Sequence, residues 1–436
     1  MDVIKIQSDG DYEDVVTSIC SPSESSANEQ IHVEKAEATK AIVDAVRERG
    51  DAALAEFTAK FDGAELSPDQ FEVTSAEIDS AFEEVDSELI ASLKKAHANI
   101  KFYHSKNLRQ SWEEDLGDGS IIGQKITPIE TVGVYVPGGK AFYPSSVLMN
   151  IVPAKVAGVT EIVMVSPPSY NGTIHPVVLA AAKIAGADRV FRIGGAQAIA
   201  ALAYGTETIP QVLKITGPGN TFVTIAKGLV RSICDIDTEA GPSEVTIIAD
   251  ASADPRYIAG EMMAQAEHDE EASSVLITTN ASHAESVPAM IEEELKSLSR
   301  VEIINVSLKN NGRIIVARDL DEATALSNLI GPEHLAIYTE NPRAILENIT
   351  AAGSIMVGHN TTVVWGDYIA GPNHILPTGR RARFSSPLTA EDFRKVSSVI
   401  EFSDARVQEL GADVMRMAAA EELTAHARAV EMRQKK

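Results

Sequence analysis

Cysteine is nearly absent: Cys20 and Cys234 are the only two in 436 residues. They stand far apart and in no metal-type spacing, so a disulfide framework is excluded and a reducing cytoplasm is the expected setting. Positive charge is scarce too. Against 63 Asp and Glu there are 38 Lys and Arg, a formal charge of -25 and a pI near 4.8. That balance repels phosphate backbones and anionic lipid, which argues against nucleic acid or a membrane as partner; a saline habitat would fit it as well. No apolar run of about 18 residues could span a bilayer, and no basic-then-apolar leader stands at the start. The dinucleotide fingerprint G-x-G-x-x-G is missing as well. What is present is 44% hydrophobic content, enough for packed cores, in a chain long enough for about three ordinary domains.

Along the chain, Val3-Ile4-Lys5-Ile6 alternates briefly, and Ser21 to Gln30 reads as a loop or mobile arm. Helical spacing follows from Val33 to Gly50, continues through Leu54, Phe57 and Phe61, and resumes from Ser75 to Ile100 with one break. At Thr131 the texture changes. Short β-branched runs at Val132–Val136, Ile162–Val165, Val190–Ile193 and Val212–Ile215 alternate with helical stretches. A second such series runs from Val245–Ala249 through Val275–Thr278, Ile314–Ala317 and Leu335–Tyr338 to Ile355–Val357. Strand, helix, strand at this spacing predicts parallel sheets, hence two tandem Rossmann-like doubly wound α/β domains with a ligand cleft between them. Past Arg383 the strands stop, and helices are expected at Glu391–Val396 and Val414–Arg433. So short a tail is expected to pack on something else, such as a second copy of the chain.

Several segments carry residues suited to chemistry. Gly366–Thr378, GDYIAGPNHILPT, sets Asp367 and His374 seven apart on a segment broken by Gly371 and Pro372. A carboxylate and an imidazole on such a loop suit a divalent metal such as zinc, or merely a capped surface turn. Gln265 and His268 are three apart at a helix end, where they share one face and can converge on one ion with Asp367 and a further histidine, His374 or His426; alone they read as a polar helix end. Glu333-His334 opens a strand after Pro332, and the pair can divide work as water activator and general base if the backbone there is irregular. The Gly-rich strand ends Pro137-Gly138-Gly139, Gly194-Gly195-Ala196-Gln197 and Gly217-Pro218-Gly219-Asn220 suit close approach to a pyrophosphate, or simply turns.

Taken together, these segments resemble the histidinol dehydrogenase family. The likeness rests on VGVYVPGGKAFYPSSVLMN (132–150), IGGAQAIAALAYGTETIP (193–210), GPGN (217–220), AGPSE (240–244), QAEH (265–268), PEHL (332–335), GDYIAGPNHILPT (366–378), ARFSS (382–386) and LTAH (423–426). It implies a cytoplasmic homodimer that oxidises L-histidinol to L-histidine through the aldehyde, with two NAD and one Zn2+ per site. The metal ligands it implies are Gln265, His268, Asp367 and, from the other chain, His426. NAD contacts would be Tyr135, Gln197 and Asn220. Substrate contacts would be Ser243, His334, His374 and Glu421 with the metal shell, and Glu333 and His334 the catalytic pair. The division it suggests is an N-terminal arm (1–30), a helical region packing with the second α/β domain (31–130), an NAD-side Rossmann-like domain (131–239), a second one bearing the metal and catalytic pair (240–382), and a C-terminal dimerisation extension (383–436) exchanged in the dimer. Glu422 departs from the Gly common in that family, and Arg380-Arg381 fills a place often small or neutral. Two arginines there leave open a related dehydrogenase acting on another amino or sulfonated alcohol.

Overall fold

A computed structural model describes residues 1–20, 26–138, 142–238 and 241–434, with backbone alone for 26–32. The chain opens with β1 (Asp2–Lys5) and α1 (Asp9–Cys20), then α2 (Ser26–Arg49), α3 (Asp51–Phe57), α4 (Ser75–Glu84) and α5 (Ser87–Ser105). A hairpin, β2 (Trp112–Asp115) and β3 (Ile121–Pro128), leads to the first α/β series. That series is β4 (Thr131–Tyr135), α6 (Pro144–Ala157), β5 (Glu161–Val165), α7 (Pro176–Ala185), β6 (Arg189–Phe191), α8 (Gly195–Tyr204), β7 (Lys214–Thr216), α9 (Thr221–Val230) and β8 (Asp235–Ile236). The second runs β9 (Glu244–Ala249), α10 (Pro255–Ala266), β10 (Ser273–Thr278), α11 (His283–Glu294), α12 (Val301–Asn311), β11 (Gly312–Val316), α13 (Leu320–Ile330), β12 (His334–Tyr338), α14 (Pro342–Leu346), β13 (Ser354–Val357) and α15 (Val363–Tyr368). The chain closes with β14 (Arg394–Glu401), α16 (Asp404–Ala420) and α17 (Thr424–Glu431).

Each α/β series builds a parallel sheet, as the β-branched runs predict. The first has the order β6-β5-β4-β7-β8, and the second β11-β10-β9-β12-β13 with β1 added beyond β11. Both therefore wind outward in two directions from their first strand, so each sheet has a switch point: between β4 and β7, and between β9 and β12. The central strands are buried on both faces, which is why they read as continuous apolar runs rather than alternating ones. Helix α6 is mostly apolar because it is mostly enclosed: eleven of its residues are buried.

Several expectations need correction. The helical region 31–130 packs on the first α/β domain, not the second: Val43, Val46, Leu54 and Phe57 share a core with Tyr135 and α8, while Ala81, Leu93 and Ile100 share one with α6 and α7. The expected arm is largely structured. Strand β1 pairs in parallel with β11, α1 packs under α13, and α2 already begins at Ser26; residues 21–25 lie outside the described residues. Glu391–Val396 is not a helix. A single 3-10 turn, Ala390–Phe393, capped by Thr389 and Asp392, gives way to β14, which pairs antiparallel with β3. The last expected helix is two: it breaks at Glu421–Leu423, where Glu422 adopts φ 60. Glycine is comfortable in that left-handed region and glutamate is not, which explains why Gly suits the position.

Candidate active site

The loop that follows α15 is held at both sides. Asn99 of α5 donates through Nδ2 to the Ile369 carbonyl at 2.8 Å, and Asn373 Nδ2 donates to the Met149 carbonyl in α6 at 2.7 Å. Gly371, at φ 112, lies so close to the Asn99 carbonyl that a Cβ would stand 2.8 Å from its oxygen. Asp367 falls in the last turn of α15, so this part of the segment is helical and only its continuation is irregular.

Around that loop the polar side chains gather. His334 opens β12 and is buried, as is Glu333 before it. Successive residues of a regular strand would face apart. Here Glu333 precedes the strand, and its Oε2 lies 3.5 Å from His334 Nδ1. The main chain of Glu244 clamps both: its N–H donates to Glu333 Oε2 at 2.8 Å, and its carbonyl stands 3.1 Å from His334 Nδ1. With Nδ1–H committed to that carbonyl, His334 presents Nε2 to Asp367, whose Oδ1 is 3.7 Å away. His374 points Nδ1 at the Asp367 carbonyl, 2.9 Å away, and Nε2 at Ser146 Oγ, 3.3 Å away in the first turn of α6.

The charges follow from this crowding. Burial alone would lower the His334 pKa, but the carboxylates of Glu333 and Asp367 outweigh it and hold the imidazole well above its usual value. Burial raises Asp367 while the His334 ring lowers it, with smaller contributions from His374 and His268, and the net direction is down. His374 is lowered, chiefly by burial. Glu244 is pushed up to about 7 by burial and then by the neighbouring Glu333 charge.

His268 therefore lies within electrostatic reach of Asp367, at the end of the helix bearing Gln265. The Gln265 side chain is buried with its Nε2 unpartnered, and amide O and N can exchange places, so an oxygen is available to face a cation there. Among the described residues no three His, Cys, Asp or Glu side chains form a metal cluster within this one chain. His426 and Glu421 are exposed on the hairpin of α16 and α17, whose helices pack chiefly on each other, so this chain does not bring them to Asp367. Ser243 stands half-buried just before β9, next to Glu244.

The three nicotinamide candidates lie at the carboxyl edge of the first sheet. Tyr135 ends β4, and its hydroxyl accepts from the Gly195 N–H at 3.2 Å. Burial pushes that phenol up to about 12. Gln197, in the first turn of α8, is fully buried with Nε2 unpartnered, an orphaned donor that a ligand can satisfy. Asn220 caps α9, accepting from Val223 N–H at 3.1 Å. Gly217 beside them has φ 116, and a Cβ there would overlap the Tyr135 carbonyl. Gly139, Lys140, Ala141 and Ala240, which the sequence motifs include, lie outside the described residues.

Arg380 is not directed at a substrate. Its guanidinium donates to the carbonyls of Ile19 and Leu329, tying down the ends of α1 and α13, and Arg381 donates to the Thr378 carbonyl. Sequence reasoning missed Glu244 and Ser146. Glu244 stands inside AGPSE at the mouth of a predicted strand, a signal that was available; Ser146, in a mostly apolar helix, becomes visible only through its contact with His374.

The family model for histidinol dehydrogenase matches residues 25–434. The chain is 50% identical over 394 residues to a histidinol dehydrogenase of Syntrophotalea carbinolica, covering 90% of this chain and 91% of that one. It is 51% identical over 395 residues to one of Geobacter sulfurreducens, covering 90% and 92%. The crystal structure of histidinol dehydrogenase from Elizabethkingia anophelis superposes with a TM-score of 0.91 at 34% identity, covering 99% of this chain and 98% of that one.

Proposed function

The chain belongs to the histidinol dehydrogenase family, oxidoreductases of histidine biosynthesis, and from that premise we propose that it oxidises L-histidinol to L-histidine in two successive dehydrogenations, with Glu333 and His334 as the acid-base pair. The observation that carries the assignment is the convergence of Glu333, His334, Asp367 and His374 within electrostatic reach of the exposed His268, which follows the helix bearing the buried Gln265.

When bound, NAD accepts the two hydrides and zinc holds nitrogens of the substrate. Gln265, His268 and Asp367 would hold the metal, and the orphaned Gln265 amide and inward Asp367 carboxylate fit that task. Tyr135, Gln197 and Asn220 would line the dinucleotide site, which the unpartnered Gln197 Nε2 and the close backbone approach at Gly217 favour. Ser243, His374 and Glu421 would contact substrate.

The chain's own residues divide the proton work. The Glu244 carbonyl keeps a proton on His334 Nδ1, so Nε2 is the nitrogen that takes the alcohol proton as hydride departs. Asp367 is one of the two carboxylates that raise the His334 pKa, and as a metal ligand it would be drawn from that nitrogen. Glu333 then draws a proton from the water that adds to the aldehyde, and the hydrated carbon gives up the second hydride. Burial of both side chains keeps other water away from the aldehyde.

The chain acts as a homodimer in this proposal, with the C-terminal hairpin completing the partner's site through His426. Support comes from the apolar side chains it leaves exposed, Met417 at 67% and Met432 at 71%. Incubation with histidinol and excess NAD should give two NADH per histidine. His426→Ala should lose bound zinc and activity while its circular dichroism is unchanged; full zinc content in that variant refutes the shared site. A second reading, another amino or sulfonated alcohol, loses its support with Arg380 committed to helix ends.

A further inference from the structure

We propose that Asp62 selects NAD over its 2′-phosphorylated form, its carboxylate accepting a ribose hydroxyl of the dinucleotide bound at the first sheet. The inference rests on the nucleotide site assigned above. In doubly wound folds that bind NAD, the ribose is read by an acidic residue about twenty positions past the first turn, at the end of the second strand, and a phosphorylated ribose is repelled by it. Here the second strand of the first sheet, β5, ends at Val165 and continues as Ser166-Pro167-Pro168-Ser169, with no carboxylate.

A carboxylate arrives instead from outside the sheet. After α3 the helix widens into one π-helical turn, Thr58–Asp62, closed by Gly63 at φ 68. Such turns recur at functional positions because they re-aim a side chain that an α-helix would direct elsewhere. The segment is fixed by Phe57, which shares a core with Tyr135, Ile193 and Ala196. It sets Asp62 within electrostatic reach of the Tyr135 hydroxyl.

Among the described residues Asp62 has no hydrogen-bond or ion-pair partner, and its Oδ2 is buried. Neighbouring Lys60 lies over the Phe61 ring, 5.1 Å from its centroid, rather than beside the carboxylate. A buried anionic oxygen without a partner is costly to keep, so it marks a place where a donor is expected. The matching orphan is Gln197 Nε2, a donor without an acceptor, whose amide folds against Gly195; a Cβ on Gly195 would stand 2.6 Å from Gln197 Oε1. Gly195 in turn donates its N–H to Tyr135. An unpaired acceptor within electrostatic reach of the Tyr135 phenol and an unpaired donor beside the Gly195 that bonds it complement a vicinal diol, whose hydroxyls can each give and receive a hydrogen bond. They do not complement a phosphate, which brings only acceptors and negative charge to the carboxylate.

The test is equilibrium binding of NAD and NADP to the intact protein, followed by calorimetry, in wild type, Asp62→Asn and Asp62→Glu. Losing one charged hydrogen bond should weaken NAD about tenfold in Asp62→Asn and narrow the preference for NAD over NADP by about tenfold or more. Asp62→Glu, which keeps the charge, should keep the preference. Removing a buried unpaired charge should leave the thermal midpoint of the ligand-free protein equal or higher, so weaker binding would not reflect misfolding. If wild type binds NAD and Asp62→Asn shows the same ratio of the two affinities, the role of Asp62 is overturned. If wild type binds neither dinucleotide, the nucleotide site itself is wrong.

Discussion

Replacing Glu244 by Gln should make the protein more stable at alkaline pH than at acidic pH, relative to wild type. The Glu244 side chain is largely enclosed; Oε1 accepts from Gly379 N–H at 3.1 Å, while Oε2 is buried without a partner beside Glu333. Burial and that neighbouring charge raise its pKa from 4.5 to about 7. A carboxyl whose pKa is raised on folding binds its proton more tightly in the folded state. Its contribution is therefore complete below the unfolded value and is lost as the pH rises through about 7. At about 1.4 kcal/mol per unit the whole loss is about 3 kcal/mol, of which about 2 kcal/mol falls between pH 5.5 and 8.5.

Glutamine keeps the oxygen that accepts from Gly379 and has no proton to lose, so it removes this term and leaves the main-chain clamps of Glu333 and His334 in place. The assay is urea unfolding of both proteins at pH 5.5 and 8.5, at one protein concentration and one metal content. The quantity of interest is the difference between the two pH-dependences. Titrations of groups that do not interact with Glu244 occur in both proteins and cancel, as does any pH-independent effect of the substitution; the coupled Glu333 and His334 change with it and belong to the difference measured. The variant should gain about 2 kcal/mol on wild type across that interval, by the linkage above. Identical pH-dependence would show that Glu244 is ionised throughout, and the crowding of carboxyls at this site would then be wrong.

Two further outcomes follow from the fold. Lys227 and Asp237 form an ion pair at 3% side-chain exposure on each partner, and Asp237 also accepts the Gly217 N–H at 2.7 Å; Lys227→Met strands the carboxylate and should cost about 3–5 kcal/mol in chemical denaturation, whereas a cost under about 1 kcal/mol would mean the pair is solvated. Arg380→Ala should lower stability by about 1–3 kcal/mol through the lost carbonyl contacts at Ile19 and Leu329, with KM for histidinol unchanged; a large rise in KM would return the guanidinium to the substrate.

What the sequence made legible depended on burial. Strands β4, β5, β9 and β12 are enclosed on both faces, so their apolar runs stand out, and the helices between them follow at regular spacing. Strand β14 is the opposite case. Its side chains are mostly exposed, Arg394-Lys-Val-Ser-Ser-Val-Ile-Glu401 shows no alternation to read, and the capped turn before it imitates a helix start. The strand exists because β3 offers it an antiparallel partner nearly three hundred residues away, which no local window contains. Chemistry-bearing types were visible for the same local reason: Asp367 and His374 share a loop, and Gln265 and His268 share a helix end. Ser146 and Asp62 were not visible, since each matters through an atom of a distant segment, His374 and, through its charge, Tyr135; Glu244 lay in a quoted motif, but its part depends on Glu333, eighty-nine residues on.

The two sheets wind in the same order, yet their candidate residues gather at opposite strand ends: Tyr135 ends β4, whereas His334 opens β12. Doubly wound sheets bind ligands at the carboxyl ends of the strands flanking the switch point. In the first sheet that crevice retains an unpartnered Gln197 donor. In the second, the corresponding groups are consumed internally: Asp250 accepts from Glu340 N–H at 2.9 Å, Tyr338 donates to Glu261 at 2.7 Å, and Glu261 accepts from Val363 N–H at 3.1 Å. Those bonds close the carboxyl edge and seat α15 against β12. Seating α15 carries Asp367 round to the amino end of the same strand, where His334 begins. There α6, entering from the carboxyl edge of the first sheet, contributes Ser146 to His374. In the function proposed above, the nucleotide of the first sheet and the proton acceptor His334 of the second would meet across the N-terminus of α6, which Ser146 links to His374.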